Sequence, residues 1–314
     1  MATYVRELLR HLPELDPLDS TFPKNNFLWN NVYLPFCQLR KPWNLYHAPS
    51  YTGPLVNVRP LVLSVHDISY LVRPEWYPYS SGPFRRAYYE ASIRVAERVI
   101  VPSEFSAEEV TRLFPHSGSK IRRIHLGVSS EFYSDPERAA LVRESLRLPS
   151  EYLLHVGDLH NRRNIPRIIQ VGQKLQLPIV LVGRIFDREL KLPEGLRLLS
   201  GLSQEDLRGV YSGATVFLYA SLYEGFGLPL IEAMACGIPV VAARRASIPE
   251  VCGDAAILVE PHVEELAEGV RMALEERASW VERGLKRAEQ FSWKATAEGT
   301  RRIYQELLAK PGRI

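Results

Sequence analysis

The sequence predicts an α/β protein with two doubly wound domains. The first observation is its length, because 314 residues are long for one hydrophobic core and comfortable for two ordinary domains. The second is an alternation of short, continuous apolar runs with helical patterns, which is typical of a parallel sheet covered by helices on both faces. The third is that this alternation restarts after a polar, proline-containing segment at residues 134–150.

The elements follow in order along the chain. Seven short runs rich in Val, Ile and Leu predict strands at residues 60–65, 98–101, 121–125, 152–156, 179–182, 214–219 and 239–242. Helical patterns predict helices at residues 83–96, 107–114, 165–175, 203–212, 229–236 and 263–276, followed by an amphipathic helix at 293–308. Residues 106–109 have the form of a capping box, which supports a helix start at Ala107. Ser103, after the strand at 98–101, is also expected to start a helix.

The polar segment at residues 134–150 is the predicted domain boundary. We expect a first domain at residues 1–148, a second at 149–292, and a C-terminal segment at 293–314 that crosses back onto the first domain. Ligands of open α/β sheets bind beyond the carboxyl ends of the strands. Residues that directly follow a predicted strand are therefore the candidates for a site.

Composition and charge exclude several classes of protein. No stretch approaches the roughly 18 uninterrupted apolar residues that cross a bilayer, and the N-terminus lacks the apolar core of a signal peptide. The net charge of +3 is too small to indicate nucleic-acid binding. Three scattered cysteines form neither a disulfide framework nor a metal pair. We expect a soluble, cytoplasmic protein, and a peripheral contact of its basic pairs with lipid headgroups stays open.

Residues 221–241 are the most informative stretch of the chain. They follow the predicted strand at 214–219 and read as a glycine loop, a proline suited to a first helical turn, and a short helix that Gly237 ends. Free N–H groups at the start of such a helix favour an anion such as a diphosphate. Glu224 precedes the helix and Glu232 lies inside it, so the two carboxylates are expected on either side of that anion. Each can accept hydrogen bonds from a diol, one from a sugar ring and one from a ribose.

This stretch resembles the Glu-x7-Glu element of family 4 retaining glycosyltransferases. These enzymes have the GT-B fold, in which two Rossmann-like domains face each other across a cleft. The resemblance implies that Glu224 holds hydroxyls of the donor sugar, that backbone amides hold phosphate or sugar oxygens, and that Glu232 holds the ribose. The donor-binding residues expected in this element are Glu224, Gly225, Phe226, Gly227, Leu228 and Glu232.

A second part of the resemblance follows the strand at residues 152–156. Relatives carry a glycine there, matched by Gly157, and a basic residue several positions on that neutralises the diphosphate, best matched by Arg163. Relatives often add an arginine directly after the glycine, where this chain has Asp158. The second basic contact is therefore assigned to Arg162 or Arg184.

In the first domain, the strand at residues 60–65 delivers His66 and Asp67. Many relatives place a histidine there, facing the donor sugar, so His66 joins Arg163 and Glu224 as a predicted catalytic residue. Asp67 is more simply explained as a loop or helix cap, and His47, in another matching segment, as structural. Relatives also begin with a strand and a glycine-rich loop, whereas this chain opens in a helix at residues 3–10. The first domain is expected to start upstream of Met1 or to lack that strand.

The resemblance implies a retaining hexosyltransferase that moves a sugar from a nucleotide-diphosphate donor to a saccharide or lipid-linked acceptor, with mannose one option. No metal and no cofactor are expected, since no Asp-x-Asp motif or His-rich cluster occurs. Two alternatives stay open, a catalytically silent nucleotide-sugar-binding subunit and a GT-B nucleotide-sugar epimerase. As a loop carboxylate, Glu224 is expected to contribute little to stability.

Overall fold

The computed structural model describes residues 2–18, 25–40, 43–56, 60–77, 82–186, 190–194 and 196–309. These residues divide into two compact α/β units. The first unit contains the described residues up to Pro74, residues 82–127, and the chain from Trp293 on. The second contains residues 75–77 and Val128–Ser292.

The strands are β1 (Tyr46–Ala48), β2 (Leu61–Ser64), β3 (Arg98–Val101), β4 (Ile121–Arg123), β5 (Leu153–Val156), β6 (Ile179–Val182), β7 (Arg197–Leu199), β8 (Val216–Tyr219), β9 (Val240–Ala243) and β10 (Ile257–Val259). The α-helices are α1 (Ala2–His11), α2 (Asn26–Leu28), α3 (Leu34–Arg40), α4 (Ser69–Val72), α5 (Pro83–Val95), α6 (Glu104–Leu113), α7 (Pro136–Ser145), α8 (Ile165–Leu175), α9 (Gln204–Ser212), α10 (Leu228–Ala235), α11 (Ile248–Cys252), α12 (Val263–Glu275), α13 (Arg277–Ala288) and α14 (Trp293–Leu308). A π-helical segment, Trp29–Tyr33, joins α2 to α3. No helix in the described ranges is long and apolar enough to span a membrane.

The first unit is built on a parallel sheet in the order β1-β2-β3-β4. All four residues of β2 are buried, and Leu61 and Leu63 join Val99 and Val101 of β3 in one core cluster. The C-terminal helix α14 packs in this unit against α1. It is fixed there by polar contacts as well, since the Thr296 hydroxyl donates to the carbonyl of His125 at 2.7 Å.

The second unit is built on a parallel sheet in the order β10-β9-β8-β5-β6-β7. Strand β5 pairs with β6 on one side and with β8 on the other, so the order of the strands reverses between β5 and β8. Such a switch point leaves a crevice at the carboxyl ends of the two strands, where doubly wound sheets bind their ligands. The loops after β5 and β8 are therefore the place for a site in this unit.

The parallel-sheet α/β class and all seven predicted strands are confirmed, each within two residues at either end. The predicted capping box is wrong. Helix α6 begins at Glu104, one turn earlier, because the side chain of Ser103 accepts the N–H of Ser106 and caps the helix there.

The second unit starts at Val128 and not at residue 149, the boundary expected from the sequence. The reason is the packing of α7 on α9, where Gly209 lets the helices approach so closely that a Cβ would lie 3.0 Å from the carbonyl oxygen of Arg138. An ion pair between Arg138 and Asp206, at 2.8 Å, joins the same two helices. The segment around α7 therefore belongs to the second core.

Candidate active site

Two loops meet at the switch point of the second sheet. One follows β5 and carries Arg162 and Arg163, and the other follows β8 and carries Glu224. Their backbones are joined directly, since the N–H of Leu222 donates to the carbonyl of Arg162 at 2.8 Å. This hydrogen bond keeps the two loops next to each other, and with them the side chains that they carry.

Glu224 lies among polar side chains from both loops. Its Oε1 bonds to the guanidinium of Arg163 and accepts the hydroxyls of Ser221 at 2.6 Å and Tyr219 at 3.0 Å. Nη1 of Arg162 lies 3.7 Å from the other carboxylate oxygen. Glu224 is only 5% exposed and Arg163 only 9% exposed, so water screens their charges little. The two side chains form a buried ion pair.

Arg163 is held in place from two further sides. Gly157 has a φ of 139°, and a Cβ on it would lie 3.2 Å from the guanidinium carbon of Arg163, so glycine leaves the room that the arginine occupies. On another side the guanidinium carbon lies 5.2 Å from the ring centroid of Tyr219, which stacks on His155 at 5.4 Å. Burial and the charge of Arg163 lower the pKa of His155 to about 3, so this histidine is neutral at physiological pH.

The glycine loop before α10 is held by the side chain of Ser247. Ser247 Oγ lies 2.9 Å from the carbonyl oxygens of both Glu224 and Phe226. In a trans peptide the C=O of one residue and the N–H of the next point in opposite directions, so the N–H groups of Gly225 and Gly227 point away from Ser247. Gly227 has a φ of 102°, a conformation open to glycine, and it precedes the helix directly. A glycine loop that leads directly into a helix is a place where backbone N–H groups can bind an anion.

Glu232 lies in α10 and has a different environment from Glu224. Its Oε2 accepts the hydroxyl of Tyr211, from α9, at 2.9 Å. Burial raises the pKa of Glu232 to about 7, although the hydrogen bond from Tyr211 acts in the opposite direction. A carboxyl group with this pKa changes between its protonated and ionised forms near neutral pH.

Arg184 lies in a separate, exposed pair. Its Nη2 is 2.9 Å from Oδ2 of Asp158, and its side chain is 70% exposed. Partial burial would raise the pKa of Asp158, but the hydrogen bonds and charge of Arg184 outweigh it and lower that pKa. The charge of Arg184 is therefore compensated by Asp158. Of the two arginines predicted for the second basic contact, Arg162 is the one that lies beside Glu224.

In the first unit, His66 is a neutral hydrogen-bonding group. Its Nε2 lies 3.1 Å from the carbonyl oxygen of Pro49, and since a carbonyl only accepts, Nε2 carries the proton. The ring packs edge-on against Tyr4, with centroids 4.7 Å apart. Burial lowers the pKa of His66 to about 4. Nδ1 of the neutral ring is then an acceptor, which suits a sugar hydroxyl.

The other two candidates of the first unit are structural. Oδ1 of Asp67 accepts the N–H of Ser69 at 3.0 Å and its hydroxyl at 2.7 Å, so Asp67 fixes the turn that leads into the short helix α4. His47 bridges Tyr304 through Nδ1, at 2.5 Å, and Ser64 through Nε2, at 2.8 Å. Its ring thereby joins the sheet to α14.

The structure thus places the predicted donor-binding residues of the second unit, apart from Arg184, in two neighbouring loops and the helix that follows. Sequence reasoning missed four side chains that hold them there. Tyr219 and Ser221 end and follow strand β8, so the rule that residues after strands form sites applies to them. Tyr211 and Ser247 lie in other elements, and no local pattern marks them.

Comparisons with known proteins agree with this architecture. Residues 140–295 match the family described as glycosyl transferases group 1, and residues 23–132 match glycosyltransferase family 4. The O-antigen chain mannosyltransferase B of Escherichia coli is 32% identical over 287 residues, which cover 84% of this chain and 74% of the relative. The serotype-specific mannosyltransferase WbdA of Escherichia coli is 30% identical over 293 residues, covering 82% of this chain but 36% of the relative.

The chain therefore spans about a third of the length of WbdA. A crystal structure of Anabaena Alr3699/HepE in complex with UDP-glucose superposes with a TM-score of 0.71 at 20% identity, covering 87% of this chain and 82% of that one. Together with the two parallel-sheet units, this likeness defines a GT-B fold. The chain belongs to the family 4 glycosyltransferases.

Proposed function

We propose that the protein is a retaining, metal-independent hexosyltransferase that uses a nucleotide-diphosphate sugar. The observation that carries this proposal is the arrangement of Arg163, Glu224 and the glycine loop before α10 at the switch point of the second sheet. It combines a fixed cation, a glycine loop that leads into a helix and a carboxylate, which are the groups needed to hold a diphosphate joined to a sugar. Glu232, farther along α10, is assigned to the ribose.

The main chemical task is to stabilise the diphosphate that leaves. Breaking its bond to the anomeric carbon gives an oxocarbenium-like sugar and adds negative charge to the leaving phosphate. Arg163 and the amides at the start of α10 supply the opposing charge. A guanidinium has five N–H donors, so the bonds of its Nη1 to Glu224 and Tyr219 do not exclude a phosphate oxygen. Because this charge comes from protein groups, the proposal needs no metal ion and no further cofactor.

The sugar itself is assigned to Glu224 and His66. Glu224 accepts hydroxyls of the hexose. His66 is assigned to a sugar hydroxyl, through Nδ1, by family likeness. In a retaining reaction without a protein base, the acceptor hydroxyl attacks the face that the phosphate leaves, and that phosphate takes the proton. Retention also rests on family likeness.

Mannose is the proposed sugar because two relatives, O-antigen chain mannosyltransferase B and WbdA, are named as mannosyltransferases. The same names favour a saccharide, free or lipid-linked, as the acceptor.

A lipid-linked acceptor would bring the protein to a membrane surface. Exposed apolar side chains of the first unit offer such a contact, at Val32, Phe36, Leu39 and Phe84. Sedimentation with anionic vesicles, before and after Phe36→Ser and Leu39→Ser, tests it.

A donor assay tests the function. The protein is incubated with GDP-mannose, UDP-glucose and other nucleotide sugars, with and without mannose-containing oligosaccharides, and each reaction is run with and without EDTA. We expect sugar transfer from one donor, unchanged by EDTA, with the donor's anomeric configuration kept in the product by NMR. Inversion of configuration would refute retention, and loss of activity with EDTA would refute metal independence.

The same assay separates the two alternatives. A silent binding subunit would bind the nucleotide sugar without releasing nucleoside diphosphate, even on long incubation. An epimerase would return an isomerised sugar or its nucleotide without any transfer product. Either result would overturn the proposed transfer reaction.

A further inference from the structure

We propose that Tyr211 is a positioning residue for the nucleotide: its hydroxyl fixes the carboxylate of Glu232 so that the other oxygen faces the ribose diol. This inference rests on the proposed role of Glu232 in ribose binding. It concerns a residue of helix α9, outside the glycine loop and the Glu-x7-Glu element.

The two carboxylate oxygens of Glu232 have different surroundings. Oε2 of Glu232 accepts the Tyr211 hydroxyl at 2.9 Å. Oε1 makes no hydrogen bond or ion pair with the described residues, and it is not among the fully buried, unsatisfied atoms. A carboxylate held at one oxygen presents the other in a fixed direction. Pairs of ribose hydroxyls are well suited to such an acceptor.

The ring of Tyr211 is held rigidly. Tyr211 is 0% exposed, and its ring packs edge-on against Phe132 and tilted against Phe217, with centroid distances of 5.8 Å and 5.7 Å. Burial raises the pKa of Tyr211 well above its ordinary value, so the hydroxyl keeps its proton and donates it at any working pH. A ring enclosed in this way gives its hydroxyl one position only.

Glu224 and Glu232 are fixed by different groups. That carboxylate is fixed by Arg163, Ser221 and Tyr219, whereas Glu232 has no cation bonded to it among the described residues. Without Tyr211, a side chain with three rotatable bonds would have to be ordered by the ligand, which costs binding free energy. Tyr211 provides that order before the nucleotide arrives.

Three variants test the inference. Tyr211→Phe removes the hydroxyl and keeps the ring, and Glu232→Gln removes the charge of the carboxylate. Tyr152→Phe is the matched control, because Tyr152 is equally buried and donates its hydroxyl to the carbonyl of Val210, at 2.7 Å, in the same helix as Tyr211. Calorimetry with ADP, GDP and UDP first finds the nucleoside diphosphate that binds most tightly. Each protein is then titrated with that compound and with its 2′-deoxy counterpart.

We expect the unmodified protein to prefer the ribonucleotide by about tenfold or more, since a site built for a hydroxyl rejects a ligand that lacks it. Tyr211→Phe should reduce this preference to about threefold or less, while Tyr152→Phe should keep it. An undiminished preference in Tyr211→Phe, together with a loss in Glu232→Gln, would overturn the inference and leave the proposed function intact. No preference in the unmodified protein, and no effect of Glu232→Gln, would instead refute the ribose role of Glu232.

A pH series gives a readout that a structural role alone would not move. The Tyr211 hydroxyl stabilises the ionised carboxylate, so Tyr211→Phe should shift the pH midpoint of nucleotide affinity upward. Cys236 is the other titratable group near Glu232, and burial raises its pKa, so it stays neutral in this range. Arg163, which acts on Tyr211, stays charged. An unshifted midpoint in Tyr211→Phe, or an equal shift in Tyr152→Phe, would contradict positioning by Tyr211.

Discussion

Arg163 and Glu224 form a buried ion pair between the two loops that meet where the strand order of the second sheet reverses. Each side chain is at most 11% exposed. Removing one member of such a pair leaves the other charged group buried without compensation. The residues assigned to the diphosphate and to the sugar therefore also stabilise the fold around them.

The first prediction concerns Glu224. Glu224→Ala should lower the free energy of unfolding by about 3–5 kcal/mol, because the guanidinium of Arg163 loses its counter-charge in a buried position. This corrects the expectation from sequence that a loop carboxylate contributes little to stability. Denaturant unfolding of the free protein measures the effect. Glu264→Ala is the control, because its carboxylate pairs with Lys174 on the surface and should cost well under 1 kcal/mol.

The double variant Arg163→Met, Glu224→Ala sharpens this test. Removing both charges leaves no uncompensated ion, so the double variant should be more stable than Glu224→Ala alone. A single Glu224→Ala variant as stable as the unmodified protein would show that the pair does not contribute to folding. Sugar transfer should be lost in Glu224→Ala and in the double variant, because both lack the carboxylate that is proposed to bind the sugar.

The second prediction compares Arg163 with Arg184. Arg163→Lys should weaken binding of nucleoside diphosphate more than that of nucleoside monophosphate, because a lysine cannot reproduce the planar fork that spans Glu224 and a phosphate. Arg184→Lys should change neither affinity by more than about twofold, since its exposed pair with Asp158 is screened. Calorimetry with GDP and GMP, or with UDP and UMP, measures both. Equal losses of affinity for nucleoside monophosphate and diphosphate in Arg163→Lys would show that Arg163 does not contact the second phosphate.

The sequence predicted the sheets well and the site in part, for a physical reason. Buried parallel strands such as β6 are continuous apolar runs, which stand out in a sequence. The edge strand β7 is three residues long and largely exposed, so it has no such pattern. Glu224 was found through the motif around it, but its bond to Arg163 depends on which strands are neighbours. That information arises only from the fold.

The same reason explains why the environment of Glu232 was not predicted. Its spacing from Glu224 is visible in the sequence, whereas its pKa depends on burial and on the hydroxyl of Tyr211. Tyr211 comes from a helix that reads as an ordinary amphipathic element. Sequence patterns identified the two carboxylates, and tertiary packing makes one an ion pair and the other a group that titrates near pH 7.

The third prediction follows from that titration. The folded-state pKa of Glu232, about 7, lies above the ordinary value of 4.5. Its contribution to stability is therefore fully present below pH 4.5 and is lost as the pH rises through 7. Relative to Glu232→Gln, the unmodified protein should lose up to about 3 kcal/mol of unfolding free energy between these pH values. Urea unfolding from pH 4.5 to 8 measures the difference, and a constant difference would show that folding does not raise the pKa of Glu232.

The last prediction concerns the charge state of His66. Because its pKa is lowered to about 4, the imidazole is neutral through the range in which the enzyme would be assayed, and Nδ1 accepts a hydroxyl. His66→Asn keeps a short polar side chain, and His66→Phe keeps a ring against Tyr4 but has no acceptor. We expect kcat/KM for transfer to fall about tenfold or more in His66→Phe and less in His66→Asn, as for the loss of a hydrogen bond in the transition state.

The pH dependence separates this role from that of a charged histidine. A neutral acceptor predicts that the ratio of kcat/KM between the unmodified protein and His66→Phe stays constant from pH 5.5 to 8, because His66 does not titrate there. A histidine that acted as a cation or a general acid would titrate near its ordinary pKa of 6.5, and the ratio would change across that value. The ratio is measured with one donor and one acceptor at each pH, so that titration of the diphosphate cancels. A ratio that falls as the pH rises through 6.5 would show that the protonated imidazole is the active form.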